Sequence, residues 1–184
     1  MTATMRERSR GLLARVIAGV SGSAGSLGAL RYAAQMARSE DAILVPVLTW
    51  TPPGGEVADR RSPNSYLRSV WKQAAWDRLW RAVELGIGGP PGDISFAPEV
   101  VRGQPGAVLS ELAQPTDIIV VGTGRRGSMR LWAGRVSRYC LAHARCPVIA
   151  VPPAELATEA HGLHRWVLWH RLHADDANLH AAGA

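Results

Sequence analysis

The sequence predicts a doubly wound α/β fold with five parallel strands and helices on both faces of the sheet. Five short apolar runs rich in β-branched residues are each separated by a stretch with helical periodicity, and that alternation is the pattern of consecutive βαβ units. The first and fourth runs both end in small, glycine-bearing turns, Ser21-Gly22-Ser23 and Gly122-Thr123-Gly124. In an open parallel sheet, ligands bind outside the carboxyl ends of two strands whose connections diverge to opposite faces.

The first strand is expected at residues 15–20 (RVIAGV) and the fourth at 117–122 (DIIVVG). Both are almost unbroken apolar runs, as central strands covered on two faces require. A helix is expected at 25–39, followed by a strand at 43–50 that contains Pro46 and, being interior, should bulge or lose a hydrogen bond there. Residues 52–63 and 86–93 are rich in glycine and proline and read as loops. Between them, at 65–85, Leu67, Trp71, Ala75, Leu79 and Ala82 form an apolar stripe at helical spacing. Trp76 and Trp80 lie beside it, placed to widen the stripe, to meet a partner or to cap a pocket.

A third strand is expected at 94–101, on a sheet edge because Pro98 removes one ladder donor. Helices at 105–113 and 135–144 and a last strand at 148–151 complete the pattern. With 184 residues and 47% hydrophobic composition, the chain can bury one sizeable core. The organisation expected is a short N-terminus (1–11), one domain (12–153) and a partly helical extension (154–184).

The segment from Asp117 to Pro153 resembles the nucleotide-binding core of the universal stress protein family, in which a strand leads through G-x-x-G, nine residues and G-[ST] to a helix and a strand beginning CPV. Cys146, Pro147 and Val148 match its end, and RVIAGVSGSAGSLGALRYAAQMA, beginning at Arg15, resembles the family's first strand, loop and helix. The resemblance implies the strand order 3-2-1-4-5, and a stress-response module that binds ATP, with magnesium, without dedicated catalysis. It implies that Ser21 and Thr49 border the nucleoside, and that Gly122, Thr123, Gly124, Arg125, Gly127, Gly134, Arg135, Val136 and Ser137 border the phosphates. It also implies a homodimer paired through the last strands.

This chain departs from the family pattern at three positions. Ser21 stands in place of an aspartate, Arg125 in place of the second glycine, and Arg135 in place of the serine or threonine after the last glycine. ATP binding is therefore expected to be weak or lost. The alternatives are a dimeric stress-response module that binds no ATP, and a dinucleotide-dependent oxidoreductase. The oxidoreductase rests on Gly122, Gly124 and Gly127 as G-x-G-x-x-G, but that motif belongs on the first strand with an acidic residue about 20 positions later. Walker A chemistry is excluded because Gly127 is followed by Ser128 and Met129 rather than by Lys and a hydroxyl residue. No spacing suggests a Ser-His-acid arrangement.

Lys and Arg outnumber Asp and Glu by 21 to 15, and Arg125, Arg126, Arg130, Arg135 and Arg138 cluster around the glycine-rich loop. Guanidinium groups there suit phosphate oxygens. Nucleic acid is not expected, since no aromatic and basic residues interleave on a strand and no recognition helix is legible. The two cysteines, Cys140 and Cys146, form no zinc set and read as small buried hydrophobes in a reducing compartment. His161, His164, His170 and His173 in the extension read as the polar side of an amphipathic helix rather than as metal ligands. No apolar run approaches membrane-spanning length, and Arg15 interrupts the apolar stretch that begins at Gly11 too early for a signal peptide. The expected location is the cytoplasm.

Overall fold

The computed structural model describes residues 14–123 and 134–152. In chain order the elements are β1 (Arg15–Val20), α1 (Ala24–Glu40), β2 (Ile43–Trp50), α2 (Gly55–Arg61), α3 (Ser65–Ile87), β3 (Glu99–Arg102), α4 (Pro105–Leu112), β4 (Ile118–Gly122), α5 (Arg135–His143) and β5 (Val148–Val151). All neighbouring strands pair in parallel, in the order β3-β2-β1-β4-β5. The expected fold class and strand order are thus observed.

The central strands are apolar throughout because each face meets a different helical layer. Val16, Ala18, Val20, Leu44, Leu48 and Val120 pack with α1 and α3 on one face. Ile17, Val45, Val47, Ile119 and Val121 pack with α4 and α5 on the other. Period-2 alternation sends successive side chains to opposite faces, so burial on both faces leaves no polar position within the run. Leu30 and Leu79, fully buried in the first layer, contribute roughly 1.5–3 kcal/mol each.

Helix ends follow local chemistry. The Ser23 side chain caps α1 by accepting from the Ser26 N–H, and Asn64 caps α3 by accepting from the Leu67 N–H. Pro105 opens α4 at a position where its missing N–H costs nothing. Gly88, at φ 76°, closes α3.

Three expectations need correction. Pro46 causes no bulge: the pairing of β1 with β2 is continuous from Arg15↔Ile43 to Val20↔Leu48. Its effect falls on the other side. Leu44 donates to Ser95 O and accepts from Ala97 N, and in a parallel ladder position 46 faces the same neighbour. The missing N–H of Pro46 therefore interrupts the ladder toward the third strand. There, the run expected at 94–101 is reduced to an isolated bridge, Leu44↔Phe96, and the short edge strand β3, with Pro98 at the break.

The second correction is α2, which lies inside the stretch read as a loop from its glycines and prolines. Its Glu56 and buried Asp59 are held by Arg102, and Asp59 also by Arg68, so the helix is stapled to the end of β3 and the start of α3. The third concerns the α3 stripe. Ala75, Leu79 and Ala82 are buried as expected, but Leu67 is exposed. Trp76 packs against the core, and Trp80 stacks on Trp76 at 6.5 Å and lies 6.1 Å from Phe96.

Candidate functional site

A cavity of about 320 Å³ opens at the carboxyl ends of β1, β2 and β4. Its floor is Gly19, Val20, Val47, Leu48 and Val121, and its rim is supplied by the turns that leave those strands and by the starts of three helices. Because α1, α4 and α5 each follow a strand of the parallel sheet, their amino ends lie at this edge, with Ser23 and Ser26 from the first, Pro105 from the second and Gly134, Arg135 and Val136 from the third. Each helix start presents N–H groups that have no partner within the helix, and the positive end of its dipole. The cavity lies where β1 connects to one face and β4 to the other, which is the switch point of the sheet.

Of the residues singled out by sequence, Ser21, Thr49, Gly122, Gly134, Arg135 and Val136 line the cavity. Thr123 does not; its N–H donates to Val151 O at 2.9 Å, tying the strand exit to β5. Ser137 is buried and turns its hydroxyl to Gly134 O at 2.9 Å, so it acts within the first turn of α5. Gly124, Arg125 and Gly127 lie outside the described residues, as do Arg126, Arg130 and the histidines of the extension. The tryptophan pair Trp76 and Trp80 is not part of the lining.

Two glycines are required by the geometry. A Cβ on Gly122 would lie 2.7 Å from the carbonyl carbon and oxygen of Gly25, so its absence lets the end of β4 touch the first turn of α1. Gly134 has φ 75°, and a Cβ there would lie 3.1 Å from Thr123 O. The left-handed conformation and the close approach both demand glycine, and together they aim the start of α5 at the cavity.

The serine turn is satisfied internally. Ser21 N donates to Ser26 Oγ at 3.2 Å, the Ser21 and Ser23 hydroxyls are 3.0 Å apart, and Ser26 Oγ donates to Ser23 O at 2.9 Å. The residues missed by sequence reasoning include Ser26 from α1, Arg78 from α3, Pro105 and Leu109 from α4, and the strand residues of the floor. Arg78 carried no sequence signal, because nothing in a helical stripe says which strand end its polar side overhangs. The described lining contains two arginines, three serines, one threonine and no carboxylate, cysteine or histidine, so its charge is positive.

Both cysteines lie away from the cavity. Cys140, on α5, is buried in the layer between α4, α5 and the sheet, and burial pushes both thiols above the usual range. Cys140 is a buried packing group, as expected, whereas Cys146 is half-buried.

The model of the universal stress protein family matches residues 13–152. This chain belongs to that family. Universal stress protein Slr1101 of Synechocystis sp. is 40% identical over 63 residues, covering 33% of this chain; the chain spans 58% of that relative's length. Among solved structures, a universal stress protein in complex with cAMP is 25% identical, with a TM-score of 0.50 over 77% of this chain and 98% of the other. Universal stress protein UspA from Lactobacillus plantarum has 20% identity and a TM-score of 0.56 over 75% and 97%, a likeness of fold. Among the described residues, no helix is long and apolar enough to cross a membrane.

Proposed function

We propose that this universal stress protein binds an adenine nucleotide in the cavity at the carboxyl edge of the sheet and has no catalytic apparatus of its own. The observation that carries this reading is the convergence of three helix amino ends and two arginines on a lining without a carboxylate. Such a lining favours an anion before any specific contact is made. The likeness to a family member in complex with cAMP supports adenine as the base. In this reading Ser21 and Thr49 border the nucleoside, and Gly122, Gly134, Arg135 and Val136 border the phosphates. Gly124, Arg125 and Gly127 complete the phosphate loop by sequence position, with Thr123 and Ser137 shaping its two ends.

ATP is the weaker ligand in this reading. Two arginines, at 125 and 135, occupy places where small residues let a phosphate chain approach the backbone. No described lining residue offers a carboxylate to magnesium, so that ion would enter only on the nucleotide's own phosphates. Nor does the described lining offer a general base, which supports binding over turnover. The free, buried Cys140 fits a cytoplasmic location.

Calorimetric titration with ATP, AMP and cAMP, with and without magnesium, tests the reading. The expected result is binding of at least one monophosphate, with ATP above the micromolar range. A submicromolar ATP dissociation constant would overturn the weakened site. Failure of every adenine nucleotide would leave the dimeric module without nucleotide as the better account, and NAD or FAD found by mass spectrometry of gently purified protein would favour the oxidoreductase.

The same proposal includes a homodimer through β5, which pairs with β4 on one side, is the last strand of the sheet among the described residues, and is short and apolar. Ile119 N donates to Pro147 O and Thr123 N to Val151 O. Ladder alternation then turns the N–H groups of Val148 and Ala150 outward. Ala150→Pro would remove an outward donor and leave the inner ladder intact. Sedimentation should show a dimer for the native chain and a monomer for the variant; a native monomer at tens of micromolar would rule the interface out.

A further inference from the structure

The cavity has a cation on each side of the sheet. Arg135 opens α5, in the layer with α4, whereas Arg78 stands on α3, in the layer shared with α1. Ser21, Ser23 and Ser26, at the entry to α1, belong to the Arg78 side of the cavity. Their hydroxyls bond one another and the first turn of α1, so an anion near Arg78 would meet neutral groups there.

Arg78 differs from the arginines that tie this fold together. Arg15 ends on Asp117, Arg38 on Asp93, Arg68 on Asp59, and Arg102 on Glu56 and Asp59. Arg31 ends on the carbonyls of Leu85 and Gly86. The Nε of Arg78 donates to Ala74 O, one turn back on its own helix, at 3.3 Å. The adjacent Asp77 accepts instead from Gln73 at 3.1 Å. That backward bond lays the guanidinium along α3 and leaves its terminal nitrogens for whatever enters the cavity.

On the basis of the nucleotide reading, we infer that Arg78 is a second anion-binding position, across the cavity from the amino end of α5. The preferred ligand then carries negative charge at two separated positions, as a nucleoside 3′,5′-bisphosphate does and a 5′-mononucleotide does not. One phosphate sits against the α5 amino end, the ribose spans the strand ends, and the second phosphate meets Arg78 and the serine turn. A guanidinium offers a phosphate two parallel N–H donors, and Ser21 in place of a carboxylate removes the repulsion such a phosphate would otherwise face.

Titration of adenosine 5′-monophosphate and adenosine 3′,5′-bisphosphate into the wild type, Arg78→Gln and Arg81→Gln, without magnesium and at one ionic strength, tests this. Arg81 is exposed on the same helix and lines no part of the cavity, so it controls for net charge. The wild type and Arg81→Gln should bind the bisphosphate roughly tenfold or more tightly than the monophosphate, the effect of one charge-assisted contact. Arg78→Gln should lose that preference and bind the two ligands alike. A wild type that binds both alike, or an Arg78→Gln variant that still prefers the bisphosphate, would overturn the second position and leave the nucleotide reading standing. No binding of either by the wild type would overturn both.

Discussion

The two ends of the sheet use the same chemical groups in opposite ways. At the amino ends, Arg15 of β1 donates through Nε and Nη2 to Asp117, just before β4, with the closest approach 2.6 Å, and its Nη2 also reaches Leu112 O. Asp117 is 1% exposed and accepts in addition from Gln114 N at 2.7 Å. At the carboxyl ends, Arg78 and Arg135 line one cavity with Gly122 and Gly134, and no carboxylate lies in the described lining. Where the chain supplies its own counter-charge the result is a clamp between strands 102 residues apart. Where the described lining holds no carboxylate, at the other end, the strands leave an open cavity.

The clamp should show the largest effect on stability and none on binding. Asp117→Ala leaves a half-buried guanidinium and the Gln114 N–H without their acceptor, and breaking a buried pair from one side costs about 3 kcal/mol. Urea unfolding should show that loss while nucleotide affinity of the folded fraction is unchanged. A destabilisation under about 1 kcal/mol would mean that the amino end is no more than a surface pair.

Gly122→Ala should act at the other end, on both properties. Its Cβ meets the Gly25 backbone at 2.7 Å, so β4 and α1 must part, at a cost of about 1–3 kcal/mol, and the cavity floor must shift. Gly86→Ala makes the informative control. There the nearest atom, at 2.9 Å, is the Cδ2 of Leu30, a side-chain end that can rotate away, and the site is remote from the cavity lining. Equal loss of nucleotide binding in the two variants would remove Gly122 from the site.

The smallest effect expected is a dependence on acidity at the α2 staple. Hydrogen bonds from Arg68 hold the Asp59 carboxyl below its ordinary range, with Arg102 adding to the shift, and Arg102 does the same for Glu56. A carboxyl whose folded pKa is depressed contributes stability that is complete above its unfolded pKa and is lost as pH falls through the folded value. Stability should therefore decline below about pH 4, and Asp59→Asn should flatten the part of that decline that comes from α2. Superimposable acid titrations of the native chain and the variant, followed by tryptophan fluorescence, would show that the staple does not couple to folding.

Much of the scaffold is legible in the sequence alone. Continuous apolar runs at 15–20 and 117–122 identified the central strands because burial on two faces leaves no room for polar alternation. The glycine-bearing exits of β1 and β4 located the cavity because only small residues let a strand end touch a helix start. Pro98 placed the third strand at an edge, where it is. For Pro46 the lost hydrogen bond is found and the alternative, a bulge, is not; a sequence shows that a donor is missing and not which neighbour it would have faced.

By itself, then, the sequence determined the fold class, the two-faced core and the position of the cavity, because each depends on local periodicity or on the absence of a side chain at one residue. The tertiary structure decided which charges meet. The Arg102–Glu56 and Arg15–Asp117 pairs join residues 46 and 102 positions apart, and the placement of Arg78 over the ends of β1 and β2 depends on where α3 crosses the sheet. Spacing along one helix tells which side is polar; what that side faces is set by the packing of the whole layer beneath it.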